Sequence, residues 1–265
     1  MFYLVTFFFS ISTSFAASDI PQTRLRAMEA RVIETVKNGE TPVLVFDLDE
    51  TLIDSTPRKY MAFREAVESI CGDMNRPSGF GCEAATAIHQ AQFYALENHY
   101  AVLDLFDSST ISSEWRATLD RTMTGIYLSG KGLELDREIP GAAKFVQKMR
   151  ALGAKVYFVS SRSKNTQRQG TLESLWALGL GSPNIDQELV LKVDGVRSID
   201  FKKATFAMIH KKPGHVVGVF ENEPENMNAM VKEFSGALAY FIQGAWLLDL
   251  PVSEQAVILH DYYYF

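Results

Sequence analysis

Cysteine is nearly absent from this sequence, with Cys71 and Cys82 the only two in 265 residues. The five histidines, His89, His99, His210, His215 and His260, are scattered and none stands at metal-ligand spacing from a cysteine, which argues against a zinc site. GxSxG and P-loop patterns are missing too, so the chemistries they support are disfavoured. Basic residues are outnumbered, 26 Lys and Arg against 32 Asp and Glu, and they form no cluster. A formal charge of -6 therefore leaves no electrostatic footprint for nucleic acid. Small anionic substrates stay compatible, because one bound divalent cation reverses the local field. There is no internal repeat and no low-complexity tract.

The one long apolar run lies at the N-terminus, MFYLVTFFFSISTSFAA, and is short for a membrane span of about 20 residues. It reads as a signal peptide over residues 1–17, with small residues Ser14 and Ala16 before the cleavage point. The expected location is therefore periplasmic or secreted, without stable membrane association after cleavage. No cysteine lies near the cleavage point to carry a lipid. Cys71 and Cys82 flank GDMNRPSGFG, rich in turn formers, and in an oxidising compartment either a small disulfide loop or a pair of buried thiols is compatible with them.

With 47% hydrophobic and 22% charged residues, the chain has the composition of an ordinary globular unit carrying an insertion. Strands are expected at 42–46, 155–159, 189–192, 216–220 and 238–242. Helices are expected at 22–37, 142–152, 167–178, 201–210 and 224–234. This alternation predicts an α/β fold with a doubly wound parallel sheet. One gap is too long: between Asp47 and Ser160 lie far more residues than the roughly 30 of a βαβ unit. Residues 56–138 are therefore read as a helical cap inserted after the first strand, with helices at 60–70, 83–105 and 112–127. The core is assigned to 18–55 and 139–265. The C-terminal YYYF reads as a final strand or a packed aromatic tail.

The segment VLVFDLDETLIDS carries the chemistry. An apolar strand ends in two acids, Asp47 and Asp49, with Leu48 between them pointing inward and Thr51 behind. Two acids at a strand end repel and resist desolvation, and a hard cation such as Mg²⁺ relieves both costs. One acid could then serve as nucleophile and ligand, the other as general acid and base. Three more strand or helix tips agree. Ser160, Ser161 and Arg162 end one strand with donors suited to a phosphate. Lys202, with Lys203 as its competitor, opens a helix, where a cation opposes the macrodipole and calls for a reason. Glu221 ends another strand and Glu225 follows, the latter also readable as an ordinary first-turn acid.

Taken together and in order, these motifs resemble those of the haloacid-dehalogenase-like (HAD) superfamily, from about Pro42 to Asn228. The resemblance implies that Asp47 forms an aspartyl-phosphate, that Asp49 protonates the leaving group and then activates water, and that Thr51 supports Asp47. It implies that Ser160 and Lys202 hold the transferring phosphoryl. Mg²⁺ would be held by Asp47, Glu221 and the Asp49 backbone carbonyl, with Glu225 as a further candidate. FDLDETLIDS, YFVSSR, TLESLWALGL and LVLK are also similar to secreted class C acid phosphatases. ENEPEN, however, replaces that family's Gly-Asp-containing fourth motif, so Glu221 stands where Asp is usual.

The reading is an exported Mg²⁺-dependent phosphatase of small phosphomonoesters. A phosphotransferase or mutase would use the same residues, and a non-catalytic binding protein could keep the same fold. A dehalogenase is disfavoured, because a departing halide needs no proton from a residue such as Asp49.

Overall fold

The computed structural model describes residues 19–72, 81–94, 96, 99–106, 111–185, 187–245 and 250–263, with only the backbone at 19–22 and 99–101. The expected signal peptide lies outside these residues.

Strand β1 (Pro42–Phe46) is buried along its whole length and lies mid-sheet between two parallel neighbours. β2 (Ile53–Asp54) pairs antiparallel with β3 (Arg137–Glu138), forming a small ribbon on either side of the long insertion. The main sheet is completed by β4 (Lys155–Ser163), β5 (Leu189–Lys192), β6 (His215–Glu221), β7 (Leu238–Ile242) and β8 (Ala256–Leu259). Its order is β5-β4-β1-β6-β7-β8 and every ladder is parallel, as expected for a doubly wound sheet. β8 and the β2–β3 ribbon were not anticipated. β8 is a four-residue edge strand with only Leu259 buried, too little burial to leave a continuous apolar run.

The two faces of β1 seed the two halves of the core. Leu44 and Phe46 join Leu25, Met28 and Val32 of α1 (Asp19–Lys37) and Phe145 and Met149 of α6 (Ala142–Ala151). Val43 and Val45 face Phe206 and Ile209 of α8 (Ser198–His210) and Met227 and Met230 of α9 (Pro224–Glu233). Gly218 lets α1 approach β6 closely, since a Cβ there would fall 2.3 Å from the Met28 methyl. α7 (Arg168–Ala177) follows β4 and buries Leu175.

Between β2 and β3 the chain builds a third apolar cluster of its own, including Phe63, Phe93, Phe106 and Trp115. It comprises α2 (Thr56–Gly72), α3 (Gly81–Thr86), α4 (Gln90–Tyr94), a 3₁₀ segment His99–Leu105 and α5 (Ser113–Leu128). The continuous helix expected over 83–105 is broken. Thr86 turns its hydroxyl back onto the carbonyls of Cys82 and Glu83, and the Gln92 side chain caps the His89 amide at 2.9 Å, starting a new helix. Cys71 and Cys82 form a disulfide joining the end of α2 to α3. No helix among the described residues is long and apolar enough to cross a membrane.

Candidate active site

Parallel strands deliver their last residues to one edge, and the carboxyl ends of β1, β4 and β6 bring Asp47, Ser160 and Glu221 together there. The turn after β1 is anchored by Leu48, fully buried, whose carbonyl accepts from the amides of Thr51, Leu52 and Ile53. Asp47 and Asp49 flank this anchor. Glu50 takes a left-handed φ of 59° in the same turn and is held by the Ser55 amide, the Ser55 hydroxyl and Lys59, all three donating to its Oε1. Asp54 accepts from the Thr56 amide at 2.9 Å, so it starts α2 and takes no direct part in the acid group.

Lys202 is buried and bridges the two acids nearest the sheet, its Nζ 2.7 Å from Asp47 Oδ1 and 2.6 Å from Glu221 Oε2. Lys203, one position on, is exposed. The second oxygen of Glu221 accepts from the amides of Asn222 and Glu223. The Thr51 hydroxyl stands 3.2 Å from Asp47 Oδ2 and 3.1 Å from Asn222 Oδ1, so its single proton serves one at a time. Ser160 is buried, and its Oγ accepts from the Arg162 amide at 3.2 Å. Ser161 Oγ bonds to Ser198 at the start of α8.

The electrostatics separate the two aspartates. Burial and the neighbouring Glu221 push the Asp47 carboxyl up to about 7, against the pull of Lys202. Burial raises Glu221 as well. Burial would also raise Asp49, but the Arg162 and Arg58 guanidiniums outweigh it and hold Asp49 well below the usual carboxylate range. Burial acts to lower Lys202, yet Asp47 and Glu221 keep it firmly protonated.

Asp49 is the centre of a second charge group that sequence reasoning missed. It takes Arg162 Nε on Oδ2 at 2.9 Å, and Arg162 Nη2 and Arg58 Nη2 on Oδ1 at 2.7 and 2.6 Å. Behind both arginines lies Asp136, its side chain fully buried, accepting from Arg58 Nε and Arg162 Nη2. Arg58 and Asp136 stand at the two crossings into the helical insertion, where isolated charges carry no pattern that marks them in sequence.

Only part of the expected metal set is brought together. Among the described residues no three His, Cys, Asp or Glu side chains form a cluster able to hold a metal. Both oxygens of Asp49 are occupied by arginines. Glu225 does not line the cavity, whereas Glu223 and Asn226 do. Glu223 stands at the N-cap of α9 and Asn226 in its first turn. What remains is Asp47 and Glu221, two buried acids sharing one lysine, which leaves a surplus negative charge when both are ionised. Their oxygens and elevated proton affinities fit a hard cation, which takes one or two carboxylates with water and substrate oxygens.

These groups open on a cavity of about 590 Å³ lined by Asp47, Asp49, Ser160 and Lys202 and by Met123, Thr124 and Tyr127 of α5. An all-parallel α/β sheet with this set at its carboxyl edge is similar to the architecture of HAD-type phosphatases. Residues 132–239 match the family "HAD superfamily, subfamily IIIB (Acid phosphatase)", a span that includes Ser160, Lys202 and Glu221. No curated protein matches the chain.

Among solved structures the fold is similar to the class C acid phosphatase from Bacillus anthracis with tungstate bound. The identity is 15% over 81% of this chain and 66% of that one, with a TM-score of 0.44. The chain thus spans just under two thirds of that protein's length. It is also similar to a HAD hydrolase, family IA, variant 3, from Entamoeba histolytica (13% identity, 84% and 94% coverage, TM-score 0.45). A hydrolase from Pseudomonas syringae is a third (18% identity, 76% and 84% coverage, TM-score 0.42).

Proposed function

We propose that the chain is an exported, Mg²⁺-dependent phosphatase of small phosphomonoesters that works through an aspartyl-phosphate on Asp47. The observation that carries the reading is the Lys202 bridge between Asp47 and Glu221, which keeps Asp47 Oδ1 occupied and presents the other carboxylate oxygen toward Thr51. An aligned nucleophile beside a fixed cation is what phosphoryl transfer asks of a protein, since its catalysis is mostly positioning and charge neutralisation. Asp47 attacks phosphorus, the ester oxygen leaves with a proton from Asp49, and water then attacks the acyl phosphate, giving its proton back to Asp49. Ser160, Ser161, Arg162 and Lys202 supply donors for the phosphoryl oxygens. Asp49, ionised in the resting arrangement, is set for the second step. Ahead of the first, the incoming phosphoryl competes for Arg162 and lets Asp49 take up a proton. Mg²⁺, held by Asp47 and Glu221, would neutralise phosphoryl charge and favour ionised Asp47.

Residues 56–138 act in this proposal as a cap that limits water access and selects the leaving group. The Cys71–Cys82 disulfide and the apolar N-terminal run support export. The test is hydrolysis of p-nitrophenyl phosphate with Mg²⁺ and with EDTA, in wild type and Asp47→Asn. Turnover that needs Mg²⁺ and disappears in Asp47→Asn is expected. Absence of turnover from pH 4 to 9 would sink the enzyme reading, and full activity in Asp47→Asn would sink the nucleophile. Product partitioning between water and added alcohol separates a hydrolase from a transferase.

A further inference from the structure

Arg58 is fully buried, lines the cavity and is held in place on almost every side. Its Nε donates to Asp136 Oδ1 at 3.0 Å, and its Nη2 donates to Asp49 Oδ1 at 2.6 Å and stands 3.3 Å from the Tyr127 hydroxyl. The Tyr127 ring lies 4.4 Å from the guanidinium carbon. Nη1 is different: it is buried and has no hydrogen-bond partner among the described residues. A buried charged N–H without an acceptor is costly, and such groups are rare unless something else meets them.

The surroundings indicate what would meet it. Arg58 and Arg162 face Asp49 and Asp136, and Lys59 is paired with Glu50, so the charges here already balance. What Nη1 lacks is an oxygen lone pair rather than a counter-charge. Its place is set by Asp49, which in the phosphatase reading, on which this inference rests, protonates the leaving oxygen. Nη1 belongs to the guanidinium bonded to that carboxylate, which associates it with the leaving group rather than the phosphorus; it has no exposed surface, so a substrate oxygen reaches it only as the leaving group displaces the Tyr127 side of the cavity.

We propose that Arg58 is a specificity-determining residue whose Nη1 binds an oxygen acceptor borne on the carbon next to the ester carbon. The favoured substrates are then phosphomonoesters of polyols and hydroxy acids, ahead of simple alkyl phosphates. A site built to donate to a substrate oxygen discriminates strongly against the analogue lacking it, because the buried donor is left unpaired.

Three substrates of matched size test this: ethyl phosphate, 2-hydroxyethyl phosphate and 2-phosphoglycolate. In wild type the oxygenated substrates are expected to exceed ethyl phosphate in kcat/KM by about tenfold or more. An equal gain for both identifies a neutral acceptor as sufficient, and a gain for the carboxylate alone identifies an anion; either supports the assignment. In Arg58→Met the advantage is expected to shrink to within about twofold, whatever the absolute rates, since the methionine offers no donor. Arg58→Met leaves Asp49 and Asp136 with Arg162 alone, so the double variant Arg58→Met/Asp136→Asn, which removes one of the two negative charges, is measured beside it. Equal efficiency on all three substrates in wild type, or an undiminished preference in a folded variant lacking Arg58, overturns the inference while leaving the phosphatase reading intact. Wild type that hydrolyses p-nitrophenyl phosphate but none of the three overturns the inference alone, and wild type that hydrolyses neither overturns both.

Discussion

Arg162 grips Asp49 with two bonds, Nε to Oδ2 at 2.9 Å and Nη2 to Oδ1 at 2.7 Å, and the arginine is almost wholly buried while the aspartate keeps some solvent contact. The pair fixes the plane of the carboxylate that the proposed mechanism uses twice. Lysine cannot reproduce a planar fork. Arg162→Lys is therefore expected to keep the fold and lose kcat/KM by about one to two orders of magnitude, the equivalent of one charge-assisted bond. Arg162→Met removes the charge as well and leaves Asp136 and Asp49 with Arg58 alone. A stability loss of about 3–5 kcal/mol is expected there, read from urea unfolding.

Asp47 and Asp49 make opposite contributions to stability as pH changes. An acid whose folded pKa lies above its unfolded value binds its proton more tightly when folded. It costs stability as pH rises from the unfolded pKa to the folded one. Asp47, pushed up to about 7, therefore weakens the protein between about pH 4 and 7 when metal is withheld, by an amount on the order of a few kcal/mol. Glu221, raised by burial, adds to the same slope. Asp49 is lowered, so its stabilisation is present above its unfolded value and is lost as pH falls below about 4. Urea midpoints in EDTA are expected to fall from pH 4.5 to 7.5 in wild type and to fall less steeply in Asp47→Asn. A midpoint that rises over this range in wild type contradicts the assignment.

Cation binding between Asp47 and Glu221 predicts a second stability signature. A ligand bound only by the folded state at a hundred times its Kd adds about 2.7 kcal/mol. Mg²⁺ is expected to raise Tm at pH 7.5 and to flatten the pH slope just described, because it relieves the repulsion between the two acids. Glu221→Gln should lose most of the rise. Glu225→Gln should keep it, since Glu225 does not line the cavity. Equal loss in both variants would return Glu225 to the metal set.

How much of this could be read beforehand depends on how each residue is positioned. β1, β4 and β6 are buried on both faces, so each leaves a continuous apolar run, and a polar residue directly after such a run marks its exit from the core. That is why Asp47, Ser160 and Glu221 could be placed at one edge from sequence. Lys202 was harder, because it lies on a helix and only its inward turn distinguishes it from exposed Lys203. Arg58, Asp136 and Tyr127 were out of reach. They meet through tertiary contacts between segments far apart in the chain, and each looks locally like a surface residue of a helix or loop. The break after Thr86 was missed for a related reason: side-chain to backbone bonds overrode a helical apolar pattern.

The aromatic C-terminus supplies the last prediction. Tyr262, read beforehand as part of a strand or a tail, is fully buried and its hydroxyl donates to the Thr51 carbonyl at 3.0 Å. Its own amide donates to the Pro140 carbonyl, and its ring packs on Phe145, 5.3 Å between centroids. Gly141 makes room for it, with a left-handed φ of 84° and a Cβ position that would lie 2.9 Å from the Tyr262 carbonyl. The tail thus props the turn that carries Thr51 and, through the Thr51 hydroxyl, Asp47. Tyr262→Phe keeps the ring and strands the carbonyl, an expected cost of about 1–3 kcal/mol in urea unfolding. If the hydroxyl only stabilises the fold, kcat at temperatures well below Tm will match wild type. If it also positions the turn, kcat will fall severalfold with KM little changed, because a displaced Thr51 alters the aim of Asp47 more than the binding of substrate. The second outcome is the one expected. Gly141→Ala offers an independent check, since it should disturb the same turn by pushing the tail away from Pro140.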